Sequence, residues 1–237
     1  MSIDRIAQAT ALIADVAERH GPAALASSFG AEDMVLIDLV AREALPVTIF
    51  TLDTGRLPAE TLALIDETRR RYAIAIDVYR PDAEAAGAYV REHGLNAFYR
   101  SIDLRERCCA IRKTEPLARA LADKGAWITG LRRSQSTTRR ELRIEEFDAT
   151  HGLPKFNPLA DWTDEDVWAY VRAHRVPYNP LHDRGYPSIG CAPCTRAVAP
   201  GEDIRAGRWW WEQPGTRECG LHRRPLDLAA SSAPIAS

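Results

Sequence analysis

The sequence predicts an α/β fold: a mainly parallel sheet flanked by helices, ending in an irregular C-terminal segment. Three observations carry that expectation. Short apolar, partly β-branched runs alternate with longer amphipathic ones, as in strand–helix–strand units. Two strand ends run into glycine-containing turns that open helices, Ser27-Ser28-Phe29-Gly30-Ala31-Glu32-Asp33 and Asp53-Thr54-Gly55-Arg56. From about residue 175 the periodicity fades into a stretch dense in Pro, Gly and Arg.

The elements follow in order. A helix is expected at 3–19, a strand at 23–29 (AALASSF) and a helix at 31–43. A strand at 46–53 (PVTIFTLD) leads to a helix at 58–72 opened by Pro58. A strand at 74–79 (IAIDVY) is followed by helices at 82–93 and 115–124, then by a strand at 126–131 (AWITGL). The last helix is expected at 163–174, where Thr163 and Asp166 have capping-box spacing. There is no internal repeat. The final LAASSAPIAS is small and polar, the composition of a frayed end. The expected organisation is therefore an α/β domain over 1–190, a C-terminal segment over 191–224 and a disordered tail over 225–237.

In a sheet of this kind ligands bind beyond the carboxyl ends of the strands. Both glycine turns stand there, and each offers backbone N–H groups and a helix N-terminus to an anion. Any strand-to-helix turn also needs a glycine and a cap, so one turn alone carries little. Neither turn ends in the Gly-Lys-Ser/Thr of a Walker loop.

The chain has 237 residues, 46% hydrophobic and 27% charged, with a net charge of −2. That balance removes any global case for nucleic-acid binding, so a basic site must be local. The N-terminus has neither the basic start nor the apolar core of a signal peptide. No apolar run is long enough to cross a bilayer. A cytoplasmic setting follows as the expectation. Thiols stay reduced there, and five cysteines read better as ligands or catalysts than as a disulfide frame.

Four of the cysteines form two pairs, Cys108-Cys109 and Cys191-Ala-Pro-Cys194. The second pair has the spacing in which one turn offers two thiolates to one metal centre. The first is rarer: adjacent side chains diverge on a strand and on a helix alike, so tandem ligands need an unusual backbone. Four thiolates suit zinc or a [4Fe–4S] cluster, and a tandem pair fits the usual zinc knuckles poorly. A redox couple within C-x-x-C and four unrelated buried cysteines are the alternatives. Arg105, Arg107, Arg112 and Lys113 flank the first pair and Arg196 follows the second. A cluster with four thiolates carries net negative charge, and these cations would offset it; the plainer alternative is a solvated basic helix face, which suits Arg105 and Arg107 better than Lys113 beside the ligands.

Cys219 is the fifth. Arg217 precedes it, His222 follows it, and Arg205 and Arg208 lie upstream. Cations lower a thiol's pKa, and arginines bind phosphate and sulfate in bidentate fashion. The pattern suggests a nucleophilic thiol for an oxyanion substrate; the plainer reading is a single exposed cysteine near the chain end. Trp209, Trp210 and Trp211 cannot all face one way, so at least one is expected to pack as an anchor.

These residues resemble the assimilatory adenylyl-sulfate (APS) reductases, close relatives of the PAPS reductases. The resemblance runs from about residue 20 to 224. It includes SSFGAEDMVLIDL, TLDTGRLPAET, CCAIRKTEPL, ITGLRRSQSTTR, NPLADWTDEDVWAY, PYNPLHDRGYPSIGCAPCTR, AGRWWWE and ECGLH. It implies an adenine-nucleotide α-hydrolase fold related to the PP-loop pyrophosphatases, with Phe29 interrupting the glycines of the loop. It implies a [4Fe–4S] cluster on Cys108, Cys109, Cys191 and Cys194, and Cys219 as nucleophile. Lys113, Arg140, Arg205, Arg208 and His222 would line the phosphosulfate site. Ser28, Gly130 and the strand end at 51–55, with Thr51 and Asp53, would hold the nucleotide. The implied partners are adenosine 5′-phosphosulfate and thioredoxin, with neither membrane nor nucleic acid; a homo-oligomer is compatible with all of this. Both cysteine pairs argue for APS over PAPS. The rival readings are a PAPS reductase, a PP-loop ATP pyrophosphatase and a non-enzymatic zinc-binding module.

Overall fold

A computed structural model describes residues 3–136 and 139–213. Strands β1 (Ala23–Ser27), β2 (Val47–Leu52), β3 (Asp77–Tyr79), β4 (Ala126–Ile128), β5 (Glu145–Asp148) and β6 (Leu153–Phe156) form one sheet. Their order is β3-β2-β1-β4-β6-β5. Every neighbouring pair is parallel except the β5–β6 hairpin. The helices are α1 (Ile3–Arg19), α2 (Ala31–Arg42), α3 (Ala59–Tyr72), α4 (Ala83–His93), α5 (Ile102–Cys109), α6 (Glu115–Leu121) and α7 (Asp164–His174).

The central strands are covered on both faces, which is why β1 and β4 read as unbroken apolar runs. Leu25, Ile49 and Ile128 point to the face packed by α1, α2, α3 and α7. Ala24, Phe50 and Trp127 point to the other, where Leu117 and Leu121 of α6 cover them. Nearly all of α2 is buried, so it is apolar around most of its circumference. The capping box expected at Thr163 is present: Asp166 N donates to Thr163 Oγ1 at 3.2 Å, and Thr163 N donates to Asp166 Oδ2 at 3.0 Å. No helix among the described residues is long and apolar enough to cross a membrane.

Several boundaries move from expectation. The first strand stops at Ser27 because Phe29 turns left-handed, at φ 61°. The strand expected at 74–79 shortens to Asp77–Tyr79, and the helix expected at 115–124 ends at Leu121. Three elements had no clear signal. α5 runs straight into a π-helical turn, Ala110–Thr114. β5 and β6 read Glu-Glu-Phe-Asp and Leu-Pro-Lys-Phe, too charged or too broken to look like strands. β5 is an edge strand, where charged residues are normal.

Candidate active site

A cavity of about 890 Å³ opens at the carboxyl ends of β1, β2 and β4. Its sheet-side wall is made of Ser27, Ser28 and Gly30, then Thr51, Leu52 and Thr54, then Thr129, Gly130 and Arg132. The opposite wall comes from the π turn and the irregular segment: Lys113, Gly190, Cys191, Arg205, Arg208 and Trp209.

The turn after β1 is held from within. Phe29 is buried and donates its N–H to Ser27 Oγ at 3.1 Å, which offsets the cost of a left-handed aromatic residue. Ser28 donates its N–H and hydroxyl to Asp33 Oδ2, at 2.6 and 2.8 Å. Burial pushes the Asp33 carboxyl up to about 6, against the Ser28 bonds that favour the charged form. Gly130 closes on the same carboxylate: a Cβ there would sit 2.4 Å from Asp33 Oδ1. Only glycine lets the end of β4 come this close to α2. Arg132, 2% exposed, donates Nε and Nη2 to Glu32 Oε1 at 2.9 and 2.7 Å. It also reaches Asp164 at the start of α7 and the Trp162 carbonyl at 3.1 Å, tying both helices to the site.

The four paired cysteines surround one small void of about 20 Å³, together with Arg56, Phe98, Arg105, Arg112, Lys113, Pro193 and Trp209. The unusual backbone that a tandem pair requires is the junction of α5 with the π turn. A π turn changes the residue-to-residue rotation, and such turns recur at functional sites. Cys191 and Cys194 bracket a 3₁₀ turn, with Cys194 N donating to the Cys191 carbonyl at 2.9 Å. Cys191 Sγ lies 3.2 Å from Thr54 Oγ1, so the void abuts the end of β2.

None of the four is in a disulfide. Burial pushes Cys194 up to about 12, with the charge of Cys191 adding and Lys113 and Arg208 opposing. Burial also raises Cys108, against Arg112. No group of His, Cys, Asp or Glu among the described residues is gathered closely enough to hold a single metal ion. Four thiols around one void, with cations and no carboxylate or imidazole in its wall, are a donor set that could hold a metal centre such as an iron–sulfur cluster.

Arg107 is exposed and reaches Glu92 and His93, as a solvated helix face would have it. Arg105 does not fit that plainer alternative. It is 1% exposed and forks onto Glu212 at 2.7 and 3.1 Å. Burial would lower its pKa, but the bonds and charge of Glu212 outweigh that and raise it. Trp209 is the buried anchor among the three tryptophans, while Trp211 sits half-buried against Tyr99, ring centroids 4.4 Å apart.

Ser28, Thr51, Gly130, Lys113, Arg205 and Arg208 thus line one cavity. Asp53 is not in its wall; its carboxylate accepts from Gly55 N and Arg80 Nε, each at 3.0 Å. Arg140 is exposed outside the cavity, whose wall holds its neighbour Arg139 instead. Cys219 and His222 lie outside the described residues. Sequence reasoning missed Asp33, Arg132 and Glu212, because each acts through a partner remote in the chain or through burial. The Arg132-Arg133 doublet was the one available hint.

Fold and site together define an α/β protein with a mainly parallel sheet and a ligand cavity at the carboxyl ends of its strands. Residues 22–197 match the phosphoadenosine phosphosulfate reductase domain, and the chain belongs to that family. An adenosine 5′-phosphosulfate reductase of Allochromatium vinosum is 58% identical over 229 residues, covering 97% of this chain and 90% of that one. The crystal structure of a phosphoadenylyl-sulfate reductase from Candida auris superposes with a TM-score of 0.69 at 26% identity, covering 84% of this chain and 98% of that one. An FMN adenylyltransferase from Candida glabrata shares the fold at 16% identity and TM-score 0.56, over 96% of this chain and 80% of that one.

Proposed function

We propose that this chain is a thioredoxin-dependent APS reductase of assimilatory sulfate reduction, converting adenosine 5′-phosphosulfate to sulfite and AMP. The observation that carries the reading is the single cavity in which the Ser28, Thr51 and Gly130 strand ends face Lys113, Arg205 and Arg208, backed by the four-cysteine void. The first group suits a nucleoside and the second its phosphosulfate.

The Cys219 thiolate attacks the sulfur of the substrate. The bond from that sulfur to the bridging oxygen breaks, and AMP leaves with the oxygen. Lys113, Arg205 and Arg208 offset negative charge on the sulfuryl oxygens and on the departing phosphate. His222 orients the substrate or the thiol. The product on the enzyme is S-sulfocysteine. A thioredoxin thiolate then attacks Cys219 Sγ and releases sulfite, and the second thioredoxin thiol resolves the mixed disulfide. Both electrons come from the dithiol. Cys108, Cys109, Cys191 and Cys194 would hold a [4Fe–4S] cluster, which supplies structure and local electrostatics. Nothing in this sequence of steps calls on a membrane or a nucleic acid, and a cytoplasmic enzyme, monomeric or homo-oligomeric, would suffice.

The test is mass spectrometry of the purified protein after incubation with APS alone. A sulfite adduct on Cys219, with AMP released and no pyrophosphate, is expected, and Cys219→Ser should show neither. A Cys219→Ser enzyme that still made sulfite at a near-normal rate would sink the mechanism. Faster turnover of PAPS than of APS at equal concentration would reassign the substrate.

A further inference from the structure

Arg208 is a long, flexible side chain on a segment without regular structure. A guanidinium that must meet an oxyanion in one geometry cannot be left to its own rotamers. Among the described residues it has no carboxylate partner, and its Nε is buried with no hydrogen bond. What holds it is shape. Its guanidinium lies 4.7 Å over the Trp209 ring. Nη1 donates to the Ile189 carbonyl at 3.2 Å, and Nη2 presses against Gly190, where a Cβ would come within 2.2 Å.

Trp209 is itself on the irregular segment, so it needs an anchor. Arg105 provides one. Its guanidinium lies 5.1 Å over the same ring and forks onto Glu212, three residues further along. Arg105, Trp209 and Glu212 are all buried. Two guanidiniums therefore lie over the Trp209 ring, and the segment is tied to α5 at Trp209 and at Glu212.

We propose that Arg105 and Glu212 are positioning residues for the substrate: acting through Trp209, they fix the Arg208 guanidinium at the place where the phosphosulfate oxyanion binds. This rests on the reading that Arg208 meets that oxyanion. The competing role for Arg105 is service to the cysteine void, whose wall it shares.

A double-mutant cycle separates these roles. APS affinity is measured by calorimetry on the iron-loaded protein in a Cys219→Ser background, with iron content determined for each variant. Glu212→Gln and Arg208→Ala should each weaken APS binding about tenfold, the scale of one charge-assisted hydrogen bond. In the Arg208→Ala background, Glu212→Gln should add less than about twofold, with iron content unchanged. Additive losses overturn the inference and leave the functional reading standing, as does iron lost in parallel with affinity. An Arg208→Ala protein that binds APS normally overturns the reading of Arg208 and this inference with it.

Glu212→Gln leaves a buried guanidinium half-satisfied and risks the fold. Arg105→Met/Glu212→Leu removes both charges and keeps the packing. It should fold, hold iron and still bind APS about tenfold more weakly. Wild-type affinity in that variant would show that the ion pair is replaceable packing, and the proposal would fail.

Discussion

The two walls of the cavity are built on different physics. The sheet-side wall is a set of strand ends carried by an apolar core: Leu25, Ile49 and Ile128 on one face, Phe50, Trp127 and Leu117 on the other. Apart from Arg132, its polar groups are short side chains and backbone that cannot swing far. The wall facing it has no such core. It is held by a buried Arg105–Glu212 pair, a tryptophan ring under two guanidiniums, and four thiols around a common void. Apolar burial is additive and forgiving. Buried charges and convergent thiols are neither, because removing one member leaves the rest unsatisfied. One wall should therefore tolerate change that the other does not.

The largest effect is expected from the cysteine void. Cys194→Ser should lose essentially all bound iron and all activity, and its thermal unfolding should separate into two steps, the irregular segment melting ahead of the sheet. Iron assay and far-ultraviolet dichroism against temperature check this. Stoichiometric iron in the variant would show that the thiols do not share one guest.

A smaller effect, on the other wall, concerns Asp33. Its folded pKa is raised from 3.8 to about 6, so the folded state holds its proton more tightly than the unfolded chain does. The stability this contributes is present in full below about pH 4 and is lost as pH rises through about 6. The loss is on the order of 3 kcal/mol. Asp33→Asn should flatten that part of the stability–pH curve and leave iron content alone. Urea unfolding at several pH values reads it, and an unchanged slope between pH 4 and 7 would count against it.

The smallest is Gly130→Ala. The added methyl would meet Asp33 Oδ1 at 2.4 Å and Asp33 N at 3.1 Å. Overpacking of this kind costs about 1–3 kcal/mol. AMP affinity should fall with it while iron stays bound. Iron loss in this variant would mean that the two walls are not independent.

Much of the sheet-side wall was legible in advance. Apolar runs announced β1, β2 and β4, and glycine turns announced where they end. The rule that ligands bind at the strand ends of a parallel sheet pointed to the turns after β1 and β2, and the family resemblance added Thr51 and Gly130. Asp53 shows the rule's limit: its backbone is at the right end, but its carboxylate turns to Gly55 N and Arg80. Phe29 was visible as an interruption of glycines, but not as a left-handed residue buried in the core. For Arg105 the plainer of the two readings fails. Beside Arg107 it looks like half of a basic helix face, and nothing within one turn of it hints at a carboxylate 107 residues away.

The chain on its own determined the class of fold, the direction of the strands, the ends at which a ligand could bind, and the count of four paired thiols with one to spare. Those properties are local: periodicity, turn chemistry and spacing act within a few residues. The tertiary structure decided that two cysteine pairs some 80 residues apart share one void, that the void abuts the β2 end through Thr54 and Cys191, and that Arg105 is buried against Glu212. These are questions of which distant charges lose their water together. Desolvation is set by everything that packs around a group, and no stretch of sequence contains its own surroundings.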